Sequence, residues 1–368
     1  MKRLALITLI LFAAVFLPSV AKAAEIEEIY DEYYTKVNAD SIKDALPQDT
    51  ADELERLGLG AEYFSKAEGF SFKNIFSHIA DIIKGGFKRP LISACAVIGI
   101  LLFSSCMGEL SKESKLTSYV VSLSIAAAVL MPVVSVVGAC VSAVKAAGVF
   151  MLSFIPVYAG VLVAKGRSLT AAGFSTVMLG VSEAVTSICS FVIVPLTGMQ
   201  LGLSLSGAAV TEINLSSVSR AVTKVSKWVL GLSTTVLLGV LSMQTLISGS
   251  ADSLSFKTTR FLVGSAVPIV GSAVAEALAT VKGCVGLLGS SVAVYGIAAV
   301  ALLFLPLIVE LLIWRVMLMF TSSIAEMLSQ TKAAELIKTV DNCISTVLGV
   351  LIFIGVLFVI SITVVFLA

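Results

Sequence analysis

Glu183, Glu276, Glu310 and Arg315 are ionisable side chains set within long apolar runs, and Lys282 follows Glu276 by six residues. A charge at the centre of an isolated membrane helix costs roughly 3 kcal/mol or more, so each of these groups needs an opposite charge or a wet cavity. Two chemistries fit the residue types. Glu276 with Lys282, and Glu310 with Arg315, can form structural ion pairs; alternatively, Glu183, Glu276 and Glu310 can line a polar conduit. Spacing along the chain does not choose between them. The backbone offers two further candidate positions: Pro156 with Gly160, in Phe154-Ile155-Pro156-Val157, and Pro268 with Gly271, in Val267-Pro268-Ile269-Val270. Proline removes a backbone donor and glycine adds freedom, so both are places where a helix can break, as membrane carriers do at their binding sites.

Side-chain catalysis has little to work with. The single histidine, His78, lies outside the apolar runs, so no histidine-based triad and no zinc motif can be assembled there. The six cysteines, Cys95, Cys106, Cys140, Cys189, Cys284 and Cys343, contain no C-x-x-C pair and read as small apolar packing residues. There is no phosphate-binding G-x-x-x-x-G-K loop, no dinucleotide fingerprint and no basic aromatic patch. The expectation is a protein without enzymatic activity, cofactor, metal or nucleic acid, driven by a partner or an ion gradient if it needs energy.

The elements that must hold these residues are membrane-spanning helices. Positions 90–368 contain only 24 charged residues, 14 basic and 10 acidic, and most of them mark breaks between apolar runs. A run of about 20 apolar residues crosses a bilayer as a helix, because only there do backbone groups satisfy one another without water. The expected fold is all-α, a polytopic membrane domain at 90–368 with about eight spans: 91–107, 117–139, 148–164, 170–197, 228–248, 261–281, 285–314 and 343–367. The segment 261–281, holding Pro268, can be re-entrant instead.

Lys2 and Arg3, an apolar run from Leu4 to Leu17, and Ala21-Lys22-Ala23 together read as a signal peptide at 1–23. Positions 24–89 then form a small exported helical region with 14 acidic and 8 basic residues and no cysteine. In it, Thr50 and Glu53 are spaced as a capping box, and Gly85-Gly86 reads as the stop of an amphipathic helix. An exported N-terminus makes Lys112 and Lys115, Lys165 and Arg167, Lys257 and Arg260, and Arg315, Lys332 and Lys338 cytoplasmic, as the positive-inside rule prefers. Positions 198–227 and 325–340 are amphipathic and suited to the membrane surface or to a docking partner helix. Gly198 with Gly202, Ala273 with Ala277, and the Gly283, Gly286, Gly289 series let helix backbones approach closely.

The run from Asp252 to Phe261 (Asp-Ser-Leu-Ser-Phe-Lys-Thr-Thr-Arg-Phe), then Val267-Pro268-Ile269-Val270-Gly271, Glu276-Ala277 and Thr280-Val281, resembles the central stretch of the stage III sporulation protein AE family. Phe154-Ile155-Pro156-Val157, the span from Trp228 to Gln244, Leu305-Pro306-Leu307 and the closing apolar helix follow the family's order. A proline expected after the acidic residue in Ala325-Glu326-Met327-Leu328 is absent. The resemblance implies a multi-pass protein of the mother-cell membrane around the forespore. Its implied partners are the other stage III sporulation A proteins, including a secretion-type ATPase, and indirectly a forespore membrane protein. Together these would form a trans-envelope, secretion-like channel complex needed for endospore development. A stand-alone secondary transporter is the alternative that the broken helices and buried acids suit.

Overall fold

The computed structural model describes residues 40–56, 72–110, 115–209, 216–266 and 271–367. Its regular elements are all helical: α1 (Asp40–Asp44), α2 (Gln48–Arg56), α3 (Phe72–Leu110), α4 (Lys115–Ala164), α5 (Ser168–Ile188), a π-helical turn (Cys189–Ile193), α6 (Val194–Ala209), α7 (Ser216–Ala266), α8 (Gly271–Met327) and α9 (Thr331–Leu367). The signal peptide and Pro268 lie outside the described residues. The expected all-α membrane fold is what these residues form.

Among the described residues six helical stretches are long and apolar enough to cross a membrane: Lys84–Cys106, Val120–Ala164, Ser168–Leu203 (through α5, the π-helical turn and α6), Arg220–Gln244, Val292–Met327 and Thr331–Thr363. The expected spans 117–139 and 148–164 are one helix, α4. The expected break between them, at 140–147, holds Lys145, but this residue stands among alanines and valines with no turn residue beside it, and a lone lysine is a good helix former. Fifty residues at 1.5 Å each separate the ends of α4 by about 75 Å. A helix of that length that crosses the bilayer puts Lys115 and Lys165 on opposite sides, which overturns their shared cytoplasmic assignment. The expected span 261–281 is divided between the end of α7 at Ala266 and the start of α8 at Gly271.

Three local expectations are corrected. Helix α3 runs on through Gly85, Gly86 and Pro90 instead of stopping. Helix α4 is continuous through Pro132, Pro156 and Gly160, so Pro156 and Gly160 are not a helix break. Helix α2 starts at Gln48, with the Pro47 carbonyl accepting from Thr50 N and Ala51 N, so Thr50 is its third residue rather than its cap.

Two tight reversals set the helical hairpins. After α4, Gly166 N–H bonds Val163 O at 2.8 Å and Arg167 N–H bonds Leu162 O at 2.9 Å, with Gly166 in the left-handed region at φ 74°. This satisfies two carbonyls that the helix end would otherwise leave open, and glycine adopts it without steric cost. The turn from α8 to α9 repeats the pattern with Ser329 N–H on Glu326 O and Gln330 N–H on Ala325 O, but here the left-handed residue is Ser329 at φ 58°. The segment 325–340, expected to suit the membrane surface or a docking partner helix, forms the corner of the α8–α9 hairpin. Gln330 ties that corner to α3 through a 3.2 Å bond to Ser104 Oγ.

The core lies where α4, α5, α8 and α9 meet. Phe150, Phe154, Tyr158 and Phe174 are fully buried and in contact in sequence: the first three rings stack with centroids 5.6 and 5.4 Å apart, and Phe174 meets Tyr158 edge-to-face at 5.3 Å. Gly296 on α8 is what lets this ladder fit: a methyl group there would meet the Phe154 ring at 2.5 Å and Ile362 Cδ1 at 3.2 Å. The short helices α1 and α2 pack on α4 and α8, with Ile42, Leu46 and Leu54 buried in the same core. Hydroxyls within the helices return to their own backbone, as in Thr186 to Ser182 O at 2.9 Å and Ser361 to Leu357 O at 2.6 Å. Such bonds keep polar groups satisfied where lipid offers no partner.

Candidate functional site

Glu310 is half-buried on α8, where α3 packs against it at Gly86. Gly86 permits that approach: a Cβ there would lie 3.7 Å from Glu310 Cα and 3.4 Å from Ile313 Cδ1. One turn along α3, the Arg89 guanidinium acts on the Glu310 carboxylate, and Cys140 on α4 is within electrostatic range of it. One turn along α8, Trp314 is 1% exposed, and its Nε1–H has no acceptor within bonding distance. The Glu310 carboxylate on the preceding turn is the charge that this indole bears on. An acid on α8 thus has a guanidinium of α3 and an indole donor near it. Both favour its carboxylate form, making a charge-compensated polar point inside an apolar bundle.

Arg315 does not pair with Glu310. Five residues turn an α-helix by about 140°, so the two side chains leave α8 on different faces. Instead Arg315 Nε donates to Asp341 Oδ1 at 3.1 Å, joining α8 to α9. Nearer the hairpin corner, Lys338 pairs with Glu326. Asp341 was not singled out from the sequence, because its partner lies across a hairpin whose register depends on the turn at Ser329.

Glu183 is exposed on α5, where it accepts a bond from Ser187 Oγ at 3.4 Å on its own helix. It therefore lies on the outside of the bundle while Glu310 lies between helices, and the two do not line one path. Glu276 and Lys282 both belong to α8. Six residues turn a helix by about 240°, which does not place the two positions on one face. Gly271 is the first residue of α8.

The π-helical turn at Cys189–Ile193 was not legible in the sequence by periodicity. Pro195 follows it, and a proline clashes with the carbonyl four residues earlier, here that of Phe191. The wider turn before it relieves that clash while α5 and α6 continue along one course. In the other segment expected to be amphipathic, 198–227, Gln200 Nε2 on α6 donates to Thr223 Oγ1 on α7 at 2.8 Å, both buried. That segment is thus partly an internal contact between two helices.

Lys165, in the turn between α4 and α5, is partly buried; burial, with Arg167 beside it, holds its ammonium below the usual lysine range. Cys140, Cys189 and Cys343 are buried free thiols, and Cys95 and Cys106 are exposed ones. Among the described residues no group of three His, Cys, Asp or Glu side chains stands close enough to hold a metal ion.

The architecture defines a class: a multi-pass helical membrane protein with isolated polar points inside an apolar bundle. The family model for stage III sporulation protein AE matches residues 62–368, and the chain belongs to that family. It is similar to the stage III sporulation protein AE of Bacillus subtilis (strain 168), at 24% identity over 149 residues, which is 40% of this chain and 37% of that relative. The match therefore spans little more than a third of the relative's length. No solved structure matches the chain.

Proposed function

We propose that this chain is a membrane subunit of a trans-envelope, secretion-like channel complex between mother cell and forespore, required for endospore development. The family match over 62–368 carries the reading. The six apolar helices support a multi-pass protein, placed in this reading in the mother-cell membrane around the forespore with its N-terminal region extracytoplasmic. The partners are the other stage III sporulation A proteins, among them a secretion-type ATPase that supplies energy, and indirectly a forespore membrane protein. The chain itself is structural rather than enzymatic in this reading, and Glu310 with Arg89 and Trp314 is the polar point by which it contributes to a path or a gate.

Deletion of the gene in the source organism is the test. Engulfment then completes, forespore development stalls, and a wild-type copy restores heat-resistant spores. A normal spore yield without the gene overturns the proposal. A cysteine placed at Ser41 tests the topology separately: it reacts with an impermeant thiol reagent from the extracytoplasmic side, and labelling only after lysis reverses the orientation.

A further inference from the structure

Lys145 and Glu183 are both exposed, and both sit at a depth where the neighbouring helix carries no charge. Phe154, Gly296 and Ile362 share one level, as their close contacts show. Helices α4 and α9 run in the same direction, because the start of α9 is tied to the α3 end of the bundle by Gln330 and Ser104. Nine residues before Phe154, Lys145 therefore comes level with Phe353. The α4–α5 register is set by Gly148, whose added Cβ would lie 3.1 Å from Thr186 Oγ1. By that register Glu183 is level with Met151, and so with about Val359, on the 1.5 Å rise common to both helices. From Asn342 to Leu367, α9 contains no charged residue.

The two charges also face the same way. Each lies three residues before the Gly148–Thr186 contact, about 60° round its own helix from it. Because α4 and α5 are antiparallel, these rotations carry both side chains to one outward face of the hairpin, displaced about 9 Å along the axes. Val149, Leu152, Leu179 and Gly180 on that face are exposed too, and Gly180 has open space around it. Among the described residues neither Lys145 nor Glu183 is in an ion pair. Two unpaired opposite charges facing lipid at this depth would each cost on the order of 3 kcal/mol.

We propose that this face of α4 and α5 is the interface with a second copy of the chain, in which Lys145 of each copy pairs with Glu183 of the other. A two-fold axis along the membrane normal keeps both copies in the same orientation and brings each α4 against the other copy's α5. The lysine and glutamate side chains, reaching toward each other, cover the axial offset. The charge pattern is self-complementary, which a second copy satisfies by symmetry.

The experiment uses two differently tagged full-length chains co-expressed in membranes, with recovery of one through the other as the readout and abundance measured in parallel. Wild-type chains co-purify. Lys145→Glu chains alone and Glu183→Lys chains alone lose at least about tenfold of that recovery, an amount matching about 1.4 kcal/mol. A Lys145→Glu chain mixed with a Glu183→Lys chain regains it, because the mixture restores both cross-copy pairs. Lys145→Met and Glu183→Gln, which insert without reversed charge, lose recovery at normal abundance and carry the test if a reversal fails to accumulate. The proposal is overturned if wild-type chains do not co-purify, if the neutral variants co-purify as well as wild type, or if normally abundant reversed chains show no rescue on mixing. Rescue only when both reversals are in one chain identifies a pair within the copy and overturns it as well.

Discussion

Arg315 and Asp341 clamp the α8–α9 hairpin, with Nε and Oδ1 3.1 Å apart across two helices whose corner lies at Ser329. Their side chains are 30% and 27% exposed, so the pair is shielded without being sealed from its surroundings. Removing one member leaves the other charge half-buried beside an apolar bundle. Arg315→Ala is expected to cost about 1–3 kcal/mol, between the values for surface pairs and fully buried ones. Thermal unfolding in detergent measures it, and Arg315→Met with Asp341→Leu together is expected to recover most of the loss. A melting temperature unchanged in Arg315→Ala would show that the clamp contributes nothing.

Ser329 adopts a backbone conformation that glycine holds at the equivalent place in the α4–α5 turn. A left-handed residue bearing a Cβ carries a strain of roughly 1 kcal/mol. Ser329→Gly is therefore expected to raise stability by about 0.5–1 kcal/mol, the strain relief being partly offset by a more flexible unfolded chain. Gly166→Ser, the reverse change, is expected to lower it by a similar amount. Matched unfolding curves of the two variants decide the sign.

Gly296 has no room for a side chain. Gly296→Val is expected to destabilise the bundle by about 1–3 kcal/mol or more, since the Phe154 ring cannot withdraw without disturbing Phe150 and Tyr158. Combining Gly296→Ala with Phe154→Leu opens space and is expected to cost less than the sum of the two single changes. Additive costs would mean that the two residues do not meet.

Lys165 is the group whose pH behaviour can be read directly. Its ammonium is disfavoured in the folded protein, so this residue opposes folding while charged in both states, and that opposition fades as pH rises from its lowered folded value toward the ordinary lysine range. Lys165→Met is expected to flatten that rise in stability. The folded protein should also acylate at Lys165 at a lower pH than a free lysine side chain does, which mass spectrometry after pulse labelling measures. A profile matching free lysine counts against the burial of this amine.

The helical class was legible because hydropathy alone dictates it: an apolar run in lipid must form its own hydrogen bonds. The break after Ala164 was legible too, because Gly166 between Lys165 and Arg167 is a turn signal with a mechanism. Lys145 misled because a single charge in an apolar run resembles a boundary, whereas a helix continues past any residue that neither breaks its bonds nor forces a turn. Gly85-Gly86 misled in a similar way, since glycine that ends a helix and glycine that admits a neighbouring helix look alike until Glu310 and Ile313 are seen against Gly86. The partner of Arg315 was hidden for a different reason. Pairing across a hairpin depends on register, and register here is set by two backbone bonds at Ser329 and Gln330 rather than by anything in the spacing of charges.

Helix α4 exceeds the thickness of a bilayer by more than a factor of two, its roughly 75 Å standing against a hydrocarbon layer of about 30 Å. Its last residues and the Gly166 turn therefore project about 18 Å past the level of Ile362, twelve residues beyond Phe154. A rod of this length behaves as a beam seated at the aromatic ladder. Pivoting there, the arm toward Lys115 is about 58 Å and the arm to the cationic tip at Lys165 and Arg167 about 18 Å, so a tilt of 10° that moves the Lys115 end by roughly 10 Å moves the tip by roughly 3 Å. Pro132 and Pro156 are the two points along the beam where a backbone bond is missing and such a movement can instead be absorbed as bending.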